Sequence, residues 1–180
     1  MNFEVIKSET IFNGKVIDLK VDEIKYKSSG NLGIREVAVH PGGAVVVPVL
    51  KNGKIILISQ YRYPMNEVVV ELPAGKLDKN EDPLIAAKRE LKEETGYSTE
   101  ALFKLGKIFS TPGFCTEVLH IYLAENLIEG EHAREEGEES MKLIELSIEE
   151  IEEKIFKGEI VDAKTISGIF MYKIFISKKK

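Results

Sequence analysis

In the stretch Lys88 to Tyr97, KRELKEETGY, three carboxylates fall at Glu90, Glu93 and Glu94. On a helix, positions i, i+3 and i+4 are neighbours, so this spacing sets negative charges side by side at a cost of about 0.2–0.5 kcal/mol per pair. Arg89 lies four residues before Glu93 and can pair with it, which leaves Glu90 and Glu94 uncompensated. At about 100° per residue, Leu84, Ala87 and Leu91 share an apolar face, and Glu90 and Glu94 border it. Such a pair suits a hard divalent cation. Magnesium takes oxygen ligands, only one or two of them protein carboxylates, and fills its remaining positions with water and phosphate oxygens. The plainer reading is a solvated acidic face.

The elements that must position this helix can be read around it. Asp82 is a suitable cap and Pro83 suits the first turn. Upstream, the first forty residues alternate β-type patterns with turns: KVIDLKVDEIKY ends at SSGNLG, and IREVAVH ends at PGG. A small antiparallel sheet is predicted there. GAVVVPVL, IILISQYRY and EVVVELPAG then read as core strands, with a hairpin-like turn at KNGK. After the helix come ALFKLGKIF, EVLHIYLAEN, an acidic loop EGEHAREEGEES, and the strand MKLIELS. Ser147 and Glu150 form a capping-box pair before IEEIEEKIFKG, Gly158 is the expected stop, and a last helix covers about AKTISGIFMYKIFI. Strands on both sides of a central helix, with helices at the end, predict an α/β/α or α+β sandwich on a mixed sheet.

Composition narrows the function. The 180 residues are 43% hydrophobic, enough for one core-bearing domain with a short appendage. A net charge of -5 argues against a general nucleic-acid binder, since phosphate contacts need clustered Lys and Arg. The start, MNFEVIKSETIFNG, has no apolar h-region, no later run approaches the length of a membrane span, and the single cysteine, Cys115, fits a reducing compartment. The expectation is a cytoplasmic protein without membrane or nucleic-acid partners. His40, His120 and His132 have no metal-ligand spacing and are read as structural.

Residues 75–97, GKLDKNEDPLIAAKRELKEETGY, carry G-x5-E-x7-R-E-U-x-E-E-x-G-U, with U bulky and apolar, at Gly75, Glu81, Arg89, Glu90, Leu91, Glu93, Glu94, Gly96 and Tyr97. This resembles the box of the Nudix hydrolases; the one departure is Tyr97, where an aliphatic residue is usual. Gln60-Tyr61-Arg62, Glu71-Leu72-Pro73-Ala74-Gly75, Pro112 in STPGF and the segment SIEEIEEKIFKGEIVDAKT are similar to the ADP-ribose pyrophosphatase branch. The resemblance covers nearly the whole chain, least before Val37.

The resemblance implies an α/β/α sandwich with a small N-terminal antiparallel sheet. It also implies hydrolysis of ADP-ribose to AMP and ribose 5-phosphate, with Mg2+ or Mn2+ as cofactor. Another nucleoside diphosphate derivative such as a sugar nucleotide, or an ADP-ribose-sensing module, are the alternatives. The expected metal ligands are Glu90, Glu94, the carbonyl of Ala74 and Glu93, the last alternatively orienting Arg89. Glu81 is read as a supporting carboxylate. Arg62 is a candidate clamp for a phosphate or the terminal ribose, because guanidinium offers bidentate geometry. Tyr61, Tyr63 and Phe114 stack on adenine or simply pack, and Glu71 meets a ribose or sits on the strand surface. The attacking water needs a base from a segment able to close over substrate. Glu139 is placed there by the register of the downstream SIEE, with Glu136 and Glu138 as alternatives. Residues 1–38 are expected to form a dimerisation sheet and 39–180 the hydrolase domain, in a homodimer.

Overall fold

The computed structural model describes residues 1–131 and 140–179, which fall into two compact units. The first, Met1–Gly42 with Phe109–Val118, is built on β1 (Phe3–Asn13), β2 (Asp18–Tyr26) and β3 (Leu32–Val39). These form an antiparallel sheet in that order. Asp22 and Ile24 of β2 are buried, whereas Val5, Ile6, Ile11 and Phe12 of β1 and Leu32 and Ile34 of β3 are all more than half exposed. The 109–118 segment runs along the end of β3, where the Ala38 N–H donates to the Phe114 carbonyl (2.8 Å) and the Thr116 N–H to the Ala38 carbonyl (3.0 Å).

The second unit, Gly43–Ile108 with Leu119–Lys180, carries the remaining elements. In order they are β4 (Gly43–Pro48), β5 (Ile55–Arg62), β6 (Glu67–Glu71), β7 (Ala74–Lys76), α1 (Pro83–Thr95), β8 (Tyr97–Ser98) and β9 (Ala101–Phe109). Then follow β10 (Val118–Glu125), β11 (Ile128–Glu129), β12 (Lys142–Leu146), α2 (Ile148–Phe156) and α3 (Ala163–Lys178). One sheet has the order β7-β4-β10-β9, with β4 and β10 parallel and β7 antiparallel to β4. A second, β12-β5-β6, is antiparallel, and β8 pairs with β11.

Successive residues of a strand face opposite sides of its sheet, and β4 and β10 fill both sides. Ala44, Val46, Tyr122 and Ala124 pack with Ala86, Ala87 and Leu91 of α1. Val45, Val47, Ile121 and Leu123 pack with Ile151 of α2 and with Ile169 and Tyr172 of α3. Helices therefore cover both faces of the central strands, the expected α/β/α arrangement on a mixed sheet, and β4 is buried throughout.

The helix ends follow the local chemistry of the sequence. Asp82 caps α1 by accepting from the Leu84 N–H at 2.8 Å, and Gly96 ends it at φ 79°. Both bonds of the Ser147–Glu150 capping box are present in α2. Two readings need correction. EVVVELPAG is not one strand: Pro73 has no N–H to give a ladder, and the chain leaves β6 to enter the other sheet as β7, with the Pro73 carbonyl accepting from Val46 N–H at 2.9 Å. Leu84, expected on the core face of α1, is 36% exposed; the buried arc begins at Ala86.

Candidate active site

Where β7 meets α1, a cleft of about 440 Å³ is lined by Gln60 and Arg62 of β5, Ala74, Gly75 and Lys76 of β7, Asp78, and Arg89, Glu90, Glu93 and Glu94 of α1. The helix phase that buries Ala87 and Leu91 carries Glu90 and Glu94 inward too, and they are only 8% and 2% exposed. Buried carboxylates require partners. Glu94 Oε2 accepts from the Ala74 N–H at 2.9 Å, which ties the helix to the first residue of β7. Arg89 Nη1 donates to Glu90 Oε1 at 2.5 Å and to Glu93 Oε2 at 2.9 Å. The same guanidinium reaches Glu81 through Nε (3.1 Å) and Nη2 (3.0 Å), and the Lys76 carbonyl through Nη2 (3.1 Å).

The expectation that Arg89 serves Glu93 and leaves the other two carboxylates uncompensated is thus corrected. Its fork is wide enough to hold Glu81, Glu90 and Glu93 together. The ion pair with Glu81, followed by Glu90 and Glu93, raises the Arg89 pKa above its ordinary value, and Arg89 in turn holds the Glu81 carboxyl below the usual range.

Gly75 shows why the box opens on glycine. A Cβ there would lie 1.8 Å from Glu90 Oε1 and 1.9 Å from its carboxyl carbon. Only a residue without a side chain lets this carboxylate cross the turn. The acidic side chains lining the cleft, Asp78, Glu90, Glu93 and Glu94, offer only oxygens, the donor chemistry of a hard cation. As the side chains stand, no group of three or more His, Cys, Asp or Glu among the described residues is gathered tightly enough to hold a metal ion. Arg89 occupies two of the carboxylates instead.

Arg62 and Glu71, read separately in the sequence, are joined. Arg62 Nε and Nη2 donate to the two oxygens of Glu71 at 2.6 and 2.8 Å. Glu71 is 1% exposed and also accepts from Lys164 of α3. Burial pushes Glu71 up, but Arg62 and Lys164 outweigh it and hold the carboxyl below its usual range. Tyr61 is exposed on the same strand, its hydroxyl bonded to Asn66 Oδ1 at 2.9 Å. Phe114 belongs to the other unit, in the exposed turn beyond Thr111. Glu139, Glu136, Glu138 and His132 lie outside the described residues. His40 Nδ1 accepts from the Gly42 N–H at 3.0 Å, a local structural bond.

Sequence reasoning gave Gln60 and Lys164 no role of their own. Gln60 Oε1 is buried in the cleft wall with no hydrogen-bond partner among the described residues. Lys164 sits in the first turn of α3, where the helix dipole disfavours a cation. That local conflict was the signal that a carboxylate must lie opposite.

The model of the NUDIX domain family matches residues 39–167. The chain belongs to the Nudix family. Among its relatives, an ADP-ribose pyrophosphatase of Bacillus subtilis is 41% identical over 92% of this chain and 90% of its own length. A methanol dehydrogenase activator of Bacillus methanolicus is 40% identical over the same shares. A crystal structure described as an ADP compounds hydrolase superposes with a TM-score of 0.88 over 99% of this chain and 96% of its own, at 20% identity, and so shares the fold. The Nudix box is accordingly the β7 turn and α1, with Gly75, Arg89 and the three glutamates meeting in the cleft.

Proposed function

We propose that this Nudix protein hydrolyses the pyrophosphate bond of ADP-ribose, releasing AMP and ribose 5-phosphate. The observation that carries the reading is the 41% identity with an ADP-ribose pyrophosphatase across nine-tenths of both chains. The cleft supports it: the carboxylates of the box and a guanidinium clamp line the same wall.

Glu90, Glu94 and the Ala74 carbonyl would hold Mg2+, or Mn2+ in its place, and Glu93 would either join them or keep Arg89 in place. A divalent cation bound there supplies positive charge against the phosphoryl oxygens. Arg62 Nη1, the nitrogen that Glu71 does not engage, is the part of the clamp left for a phosphate or ribose oxygen. Glu71 itself, buried with both oxygens occupied, holds Arg62 instead of meeting the ribose. Tyr61, exposed at the end of β5, serves the adenine. Water is the nucleophile: its oxygen bonds to one phosphorus, the bridging oxygen leaves with the other phosphate, and its proton passes to a carboxylate, assigned to Glu139.

The chain works as a homodimer through the sheet of residues 1–38, in the cytoplasm. Its exposed apolar side chains support the dimer, and the free Cys115 supports a reducing compartment. No helix among the described residues is long and apolar enough to cross a membrane. Incubation with ADP-ribose and Mg2+, with products separated and identified, tests the activity. AMP and ribose 5-phosphate in equal amounts are expected, and intact ADP-ribose after prolonged incubation contradicts it.

A further inference from the structure

We infer that Lys164, at the start of α3, is a positioning residue that sets the Arg62 guanidinium for substrate by sharing the carboxylate of Glu71; the inference rests on the reading of Arg62 as the anion clamp. Lys164 is outside the cleft lining, and its side chain is 13% exposed. It donates to Glu71 Oε2, the oxygen that also accepts from Arg62 Nη2, and lies 3.1 Å from Asp162 Oδ1. Asp162 is itself fixed. Its Oδ2 accepts from the Thr165 N–H at 2.9 Å and the Thr165 hydroxyl at 2.6 Å, and Thr165 Oγ1 accepts from the Leu72 N–H at 2.7 Å. A continuous polar chain therefore runs from the α3 cap to both Glu71 and its neighbour Leu72, two residues before the β7 turn.

Charge explains what Lys164 adds. A lone Arg62–Glu71 pair is neutral, and a buried carboxylate shared by nobody else would draw the guanidinium fully onto itself. With Lys164 on the same carboxylate, Arg62 keeps part of its field for an anion in the cleft. Lys164, itself held beside Asp162, also fixes the Glu71 carboxylate, and the bidentate pair hands that orientation to Arg62.

The test is a double-mutant cycle on KM and kcat for ADP-ribose, with melting of each variant recorded. Arg62→Ala is expected to raise KM. Lys164→Met should raise it about tenfold with kcat changed less than about threefold, the pattern of lost ground-state and transition-state binding alike. On top of Arg62→Ala, Lys164→Met should add almost nothing, because its effect passes through Arg62. A purely structural lysine would lower melting and kcat and act equally in both backgrounds. Unchanged KM in Lys164→Met, or its full factor added to Arg62→Ala, overturns the inference. Should Lys164→Met fail to fold, Lys164→Gln, one atom shorter and keeping a donor without the charge, carries the same expectations. If Arg62→Ala itself leaves KM unchanged, the clamp reading fails first and the inference with it.

Discussion

Glu90 and Glu94 are held differently, and their variants should show it. Glu90→Gln and Glu94→Gln should each remove most turnover at saturating Mg2+, because each deletes a charged oxygen ligand. Glutamine at 94 keeps an oxygen for the Ala74 N–H, so melting should move little there. Near-wild-type turnover in either variant would contradict the assignment. Glu139→Gln should lower kcat by about 10² or more, within the usual range of general-base catalysis, and flatten the acidic limb of the pH–rate profile. If instead only Glu136→Gln or Glu138→Gln does so, the base is that residue. Glu71 gives a pH signature of stability. Its folded pKa lies below the ordinary 4.5, so its contribution is complete above that value and is lost as pH falls through the lower folded value. Thermal melts from neutral to acidic pH should therefore show Glu71→Gln less stable at neutrality and less acid-sensitive than the wild type. At this scale the sequence disclosed identities more than partners. The box glutamates were legible from spacing, but the grip of Arg89 on Glu90 and the Arg62–Glu71–Lys164 cluster join residues up to 93 positions apart, a matter of tertiary packing.

The active elements are a three-residue strand and a helix brought to touching distance at Gly75. Gly75→Ala should abolish most activity while melting falls far less, since its Cβ displaces the Glu90 carboxylate and leaves the buried apolar face of α1 intact. A fully active Gly75→Ala would show that Glu90 need not cross that turn. Ser147→Ala removes one bond of the α2 capping box and should cost about 1 kcal/mol of stability in denaturant unfolding without touching turnover. The helices were readable because caps and periodicity are local. Leu84 misled because periodicity gives a face and not where along the helix the sheet begins to cover it. β8 and β11, two residues each, and the split of β6 from β7 were missed because such short pieces have no period and are set by neighbouring strands.

At the scale of the whole molecule, the first unit exposes apolar residues on two of its three strands, and a sheet that small is marginal alone. Light scattering should give twice the chain mass of 20.2 kDa, and Phe12→Glu with Ile34→Glu should shift the protein toward monomer; a monomeric wild type contradicts this. The substrate is the larger question, since relatives of nearly equal identity carry different names. The most direct measurement is kcat/KM for ADP-ribose beside GDP-mannose and nucleoside triphosphates, with Mg2+ and identified products. ADP-ribose is expected to lead and to yield AMP with ribose 5-phosphate. A kcat/KM for GDP-mannose about tenfold above that for ADP-ribose would contradict the account.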